Sequence, residues 1–255
     1  MVAPNGARLG KVDHPALPVT DDEIVETARE CQAAGADGIH LHIRDAQGAH
    51  LLDSDRYRVL LDRLANEVPG MYLQVTSEAA GRYNAAEQRA MIRALKPAHV
   101  SIGLREMVRL PDGWGAARDF YHWAADTGVD VQHILYSPAE VQGFVIALEA
   151  GYIPGRSHLI QLVQGTYAEG ARGAAALSDY LCQMKRADGH EFDWMLCAFG
   201  ELETASLAEA ARQGGKVRVG FENSLQMANG QLAKDNASRV REVDTVLREI
   251  DELNR

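Results

Sequence analysis

The chain has little of what secreted, membrane-spanning or nucleic-acid-binding proteins need. Its 255 residues include three cysteines, Cys31, Cys182 and Cys197, odd in number and far apart. They show no metal-type spacing and make no disulfide framework. Scattered cysteines of this kind act as small buried hydrophobes, although Cys197, at the end of an expected strand, can also line a site. No apolar run approaches the ~18–20 residues that cross a bilayer. The N-terminus carries no signal-peptide pattern. These absences set the expectation of a cytoplasmic protein with no membrane partner. Basic residues are outnumbered, 26 Lys and Arg against 36 Asp and Glu, for a formal net charge of −10. That balance argues against a nucleic-acid partner. It leaves room for an anionic small molecule, because local arginines can recruit one. No Gly-x-Gly-x-x-Gly follows the first strand, which weakens a dinucleotide-binding reading. The opening, Met1-Val2-Ala3-Pro4, reads as the stub of a strand whose beginning is cut short.

What is present is a regular alternation. A hydrophobic fraction of 46% is ample for a core. Expected strands are Val2–Asn5, Asp37–Ile43, Met71–Val75, Ala98–Ile102, Asp130–Leu135, His158–Val163, Asp193–Ala198 and Lys216–Phe221. Helices separate them. Thr20 and Glu23 form a capping box for a helix to Ala34, and others cover Ser54–Asn66, Gly115–Thr127, Ala175–Arg186, Thr204–Gln213 and Asp235–Glu252. A further helix starts near Asn84, and Ser137-Pro138 opens one that ends at Gly151. Strand–helix alternation implies a parallel sheet with helical crossovers. Eight such units at this length predict a single-domain (β/α)8 TIM barrel over residues 1–255. A doubly wound open sheet is the structural alternative.

Two strands carry chemistry. In Gly38-Ile39-His40-Leu41-His42-Ile43-Arg44-Asp45, alternation puts His40, His42 and Arg44 on one face and the apolar residues on the other. In Lys216-Val217-Arg218-Val219-Gly220-Phe221-Glu222-Asn223, Arg218 and Glu222 share a parity. Barrel strands alternate between interior and helix layer, so the polar parity faces inward. Active sites gather at the C-terminal strand ends. His40, His42 and Glu222 can then form a metal site with an open position, suited to Zn2+, with Mn2+ or Fe2+ also compatible; the alternative is a hydrogen-bonded pair of core histidines and a carboxylate paired with Arg218 or Arg44.

Other residues have two readings. Arg218 either pairs with an interior acid or orients a substrate carboxylate or catalytic water. Gln74, Thr76 and Ser101 share the inward parity. Hydroxyls of Thr76 and Ser77 can bind substrate or cap the loop that includes Glu78. Asp45, Asn223 and Ser224 can give supporting contacts to the ligands. Arg105 and Glu106 read as loop charges. The loop Gln164–Gly173 is glycine-rich but has no lysine at phosphate-loop spacing.

Together with Asn5-Gly6-Ala7, His14-Pro15-Ala16-Leu17-Pro18-Val19-Thr20 and Asn229-Gly230-Gln231-Leu232-Ala233, these blocks resemble the β-keto acid cleavage enzyme family over essentially the whole chain. The resemblance implies a zinc-dependent (β/α)8 barrel and a homotetramer. It implies an acyltransferase that condenses a β-keto acid with acetyl-CoA, giving acetoacetate and a new acyl-CoA by a retro-Claisen route. His40, His42 and Glu222 match the zinc ligands, Arg218 the catalytic arginine, and Thr76 or Ser77 a substrate-binding serine. The family's Asp after the ligand Glu is Asn223 here, its frequent Glu after Gly-Ala is Arg8, and its Ser-Thr-Gly-Gly loop is Thr76-Ser77-Glu78-Ala79. Asn223 cannot serve as a base, so proton abstraction needs water, such as one held by Arg218 and Asn223, or another group, or the position makes only a polar contact. Arg8 or Arg105 can pair with an anion of the keto acid or of CoA. The departures keep two rivals open: a metal-dependent aldolase or decarboxylase acting without CoA, and a barrel that binds ligand without catalysis.

Overall fold

The computed structural model describes residues 1–108, 113–168, 170 and 173–253. The parts of the expected loops at 109–112, 169 and 171–172 lie outside the described residues. The first half of the chain runs through α1 (Asp21–Ala33), β1 (Gly38–Leu41), β2 (Ile43–Arg44), β3 (His50–Leu51), α2 (Ser54–Glu67), β4 (Tyr72–Thr76), α3 (Ala85–Leu95), β5 (His99–Gly103), α4 (Leu104–Met107) and α5 (Gly113–Thr127). The second half runs through β6 (Asp130–Leu135), α6 (Pro138–Glu149), β7 (Ser157–Gln164), α7 (Leu177–Met184), β8 (Glu191–Ala198), α8 (Glu203–Arg212), β9 (Lys216–Val217) and α9 (Asn236–Leu253). The capping box at Thr20 forms as expected, with Glu23 N donating to Thr20 Oγ1 at 3.2 Å and Thr20 N to the Glu23 carboxylate at 3.1 Å.

Seven strands make one parallel sheet in the order β1-β4-β5-β6-β7-β8-β9. Val2 closes it, bridging Ile39 on one side and Val219 on the other. Its N–H donates to Gly38 O at 2.8 Å, and Ala3 N donates to Val219 O at 2.8 Å. The curled sheet with surrounding helices is the expected TIM-barrel architecture, with Val2 as its shortest stave. Ile39, Leu41, Val75, Val100 and Ile102 pack outward in one cluster with Ile24, Ala28, Leu60 and Ile92 of the helices. The opposite parity, His40, Gln74, Gln132 and Gln161, is buried inside.

Three strands are shorter than the alternation predicts. Val2–Asn5 reduces to the bridges at Val2, because Pro4 has no N–H to give a ladder. Lys216–Phe221 reduces to β9 plus the Val219 bridge. Gly220 takes φ +142° against Ala3, where an added Cβ would lie 2.4 Å from Ala3 O. Only glycine accepts that combination of φ and contact. Asp37–Ile43 breaks at His42, after which β2 pairs antiparallel with β3 in a hairpin. Asp45 Oδ1 closes its turn by accepting from Gln47 N and Ala49 N at 3.1 and 2.8 Å.

Candidate metal centre

Strand geometry delivers the first ligand and departures from it deliver the others. His40 sits in β1, inward beside Gln74 of β4 in the ladder register. His42 lies just beyond the strand end, where the chain turns into the hairpin. Its carbonyl accepts from Asn5 Nδ2 at 2.9 Å, which ties the turn to the N-terminal loop. Glu222 arrives from a tight turn: Asn223 N and Ser224 N both bond Gly220 O, at 2.8 and 3.0 Å, and Glu222 N donates to Ala3 O at 3.0 Å. Phe221 N donates to Asn236 Oδ1 at 2.9 Å, so α9 holds the same turn from behind. Gly6 packs directly over the ligand. With φ +57°, it leaves room where a Cβ would stand 2.6 Å from Glu222 Cγ.

The three side chains converge. His40 Nε2 and His42 Nε2 are 3.0 Å apart, and Glu222 Oε2 lies 3.7 and 3.6 Å from them. Tetrahedral bonds of about 2.0–2.1 Å would set ligand atoms about 3.3 Å apart, close to what is seen. Glu222 Oε2 is buried and has no hydrogen-bond partner. Without an ion, the 3.0 Å contact is an N–H···N hydrogen bond between the two imidazoles, and a bound ion would take the place of that shared proton. Burial lowers the His40 pKa to about 4; burial and the neighbouring imidazoles push His42 well below its ordinary value. Both rings are therefore neutral at pH 7, the form that ligates metal. Donor set, burial and orphaned oxygen fit a divalent ion.

The remaining sequence candidates fall into two groups. Close to the ligands, Arg218 donates to Glu222 Oε1 at 3.2 Å and to Cys197 Sγ at 3.4 Å. Asn223 is buried with neither amide atom partnered, and the Ser101 hydroxyl is likewise buried and unpartnered. Thr76 pairs with Ser101 in register. Its hydroxyl accepts from Glu78 N at 3.0 Å and keeps its own proton to donate. The Ser77 hydroxyl is already spent on Ser101 O at 3.0 Å.

Other candidates lie at the rim or serve the scaffold. Arg8 is exposed, 5.1 Å above the Tyr167 ring. Arg44 donates to the carbonyls of Asn5, Leu9 and Gly48, at 3.0, 2.9 and 2.8 Å, and so fastens the N-terminal loop to the hairpin. Ser224 spends its hydroxyl on Gln226. Arg105 stacks 3.5 Å from the Tyr136 ring centroid and pairs with Glu140 at 3.7 Å. Glu106 accepts from Ala79 N and Gln88 Nε2 at 2.9 and 2.6 Å, pinning the loop after β4. Sequence reasoning gave no site role to Glu78, whose carboxylate reaches within 3.9 Å of His42 Nδ1. Burial, Glu222 and Glu106 push its pKa up to about 7.

A family profile described as BKACE, beta-keto acid cleavage enzyme, matches residues 1–253. The chain belongs to this family. Among its curated relatives, the 3-oxoadipate:acetyl-CoA acetyltransferase of Cupriavidus necator is 25% identical over 256 residues, covering 97% of this chain and 87% of that protein. The 3-keto-5-aminohexanoate cleavage enzyme of Fusobacterium nucleatum is 25% identical over 251 residues, covering 96% and 89%. Among solved structures, the ternary complex of ObcA with C4-CoA adduct and oxalate superposes with a TM-score of 0.70 at 15% identity. It is matched over 92% of this chain but 64% of its own, so this chain spans under two thirds of ObcA's length. That likeness speaks to the fold alone. Membership makes the protein an enzyme of β-keto acid cleavage and gives the buried His-His-Glu cluster a reaction to be tested against.

Proposed function

We propose that this protein transfers the acyl group of a β-keto acid to CoA using acetyl-CoA as co-substrate, with a divalent ion, Zn2+, held by His40, His42 and Glu222. The observation that carries this reading is the convergence of those three buried ligand atoms within 4.8 Å of one another. In the net reaction the C2–C3 bond of the keto acid breaks, its acyl group passes to the CoA sulfur, and the acetyl group joins C2 to give acetoacetate. The names of the Cupriavidus and Fusobacterium relatives support that chemistry.

A bound ion would supply Lewis-acid polarisation. The chain's own residues do the rest. Arg218 keeps a buried positive charge beside Glu222, where negative charge develops on the substrate. Ser101 and Thr76 offer hydroxyl donors to a substrate oxygen, while Ser77, its proton engaged, holds the loop. Asn223 can orient an oxygen or a water but cannot take its proton. Arg8 at the rim draws in the anionic keto acid or CoA. We further infer that residues 1–255 act as one (β/α)8 catalytic unit, assembled as a homotetramer in the cytoplasm.

The test is a panel of β-keto acids incubated with and without acetyl-CoA, with products read by mass spectrometry. Acyl-CoA and acetoacetate should form only with acetyl-CoA, disappear with a chelator, and return with Zn2+. Turnover without CoA would replace this reading by an aldolase or decarboxylase, and binding of a β-keto acid with no turnover would replace it by the non-catalytic barrel that Asn223 motivates.

A further inference from the structure

The two ligand histidines are not held alike. His40 Nδ1 donates to Gln74 Oε1 at 2.8 Å, and Gln74 Nε2 in turn donates to Gln132 Oε1 at 3.1 Å. That chain fixes the amide, the His40 tautomer and the aim of its Nε2 lone pair. His42 Nε2 faces the same point from 3.0 Å. Its lone pair must also be on Nε2 to ligate, so its proton must be on Nδ1. Yet His42 Nδ1 is buried and has no hydrogen-bond partner. A buried donor left so is costly to the fold.

One carboxylate faces it. Glu78 Oε2 lies 3.9 Å from His42 Nδ1, about 1 Å beyond hydrogen-bonding distance. The backbone of Glu78 is pinned on both sides: its N–H donates to Thr76 Oγ1 at 3.0 Å and its carbonyl accepts from His50 Nε2 at 2.9 Å. The backbone being held, any approach of the carboxylate by the missing distance, about 1 Å, falls to the side chain. His50 is the other basic ring nearby, 5.2 Å between centroids. Because its Nε2 donates to Glu78 O, its Nδ1 is a neutral acceptor and a weaker partner for an N–H polarised by a cation.

We propose that Glu78 is a positioning residue for the metal centre, accepting the Nδ1 proton of His42 and so fixing that ring's tautomer and orientation. Gln74 does this for His40 with an amide oxygen; Glu78 does it for His42 with a carboxyl oxygen. Such carboxylate–histidine–metal relays raise ligand basicity and strengthen metal binding. This inference rests on the metal reading above.

The test uses the full-length protein and three forms: wild type, Glu78→Ala and Glu78→Gln. Zinc affinity is measured by competition with a chromogenic chelator, and the Co2+ form by its visible spectrum. Unfolding of each metal-free form confirms that the fold is retained. Glu78→Ala should bind zinc about 10–100-fold more weakly and show an altered Co2+ spectrum. Glu78→Gln, whose amide oxygen can still accept from Nδ1, should recover most of the affinity. If Glu78→Ala binds zinc like wild type with an unchanged spectrum, or if Gln is as weak as Ala, the proposal is wrong while the metal reading stands. If wild type itself takes up neither ion, the metal reading fails and this inference with it.

Discussion

Two buried arginine–glutamate pairs stand within a few residues of the same turn and are built in opposite ways. Behind the turn, Arg239 bonds the carboxylates of Glu203 and Glu242 and donates to Thr204 Oγ1 at 3.1 Å. Glu203 also accepts from Gly220 N at 3.3 Å. In front of the turn, Arg218 pairs with Glu222, but Arg218 Nε, Glu222 Oε2, both amide atoms of Asn223 and His42 Nδ1 are all left without partners. The first pair spends its hydrogen-bonding capacity on protein except at Arg239 Nε, which, like Arg218 Nε, has no partner. The second leaves more of its surroundings without partners, among them Glu222 Oε2 and both amide atoms of Asn223. Unsatisfied buried polar groups are costly, so a cluster of them indicates what the fold is arranged to bind. The difference separates a clamp from a site.

The largest expected effect tests the clamp. Arg239→Met leaves Glu203, which is fully buried, without its cation. Breaking a buried pair from one side costs about 3–5 kcal/mol, and urea titration should show a loss of that size. A loss under about 1 kcal/mol would mean that the pair is no clamp. Next comes the site. Arg218→Met in the metal-loaded enzyme should lower kcat about 10²–10³-fold, the usual cost of removing one preorganised donor from a developing charge. It should cost less stability than Arg239→Met, because Glu222 retains the metal as its partner. Equal stability losses in the two variants would erase the distinction drawn between the pairs.

The barrel was legible because the sheet imposes a period of two: the apolar parity of β1, β4 and β5 and the inward His40 and Gln74 follow from alternation alone. His-x-His was legible for the same reason. Glu222 was found by parity but placed by something else. Gly220 leaves the strand, and the carboxylate reaches the ligands from a turn. The supporting contacts were the least legible. Asp45, next to the motif, spends its carboxylate on the hairpin turn, whereas Glu78 comes from a loop where no periodicity points to a face. Thr76 and Ser77 look equivalent in sequence, and only hydrogen-bond geometry shows that Ser77's proton is already engaged.

The smallest effect sharpens the comparison from outside the site. His133 in β6 is buried between the rings of Tyr121 and Phe144, 5.1 and 4.7 Å between centroids. Its Nδ1 also lacks a partner, yet it belongs to no group of three ligand residues among the described residues. An orphaned nitrogen alone therefore marks no site, and this one should act on stability only. Burial, with a lesser contribution from His158, lowers the His133 pKa to about 3. In the unfolded chain it titrates near 6.5. Between those values the unfolded state binds a proton that the native state refuses, so stability rises with pH across this window and is fully present above it. Acidifying from pH 7 to pH 5 should cost wild type about 2 kcal/mol through this residue. His133→Phe, which suits the aromatic surroundings, should lose that much less over the same interval in paired urea titrations. If both proteins lose the same stability on acidification, His133 accepts a proton in the folded state, and its environment is more like that of a site than of a core.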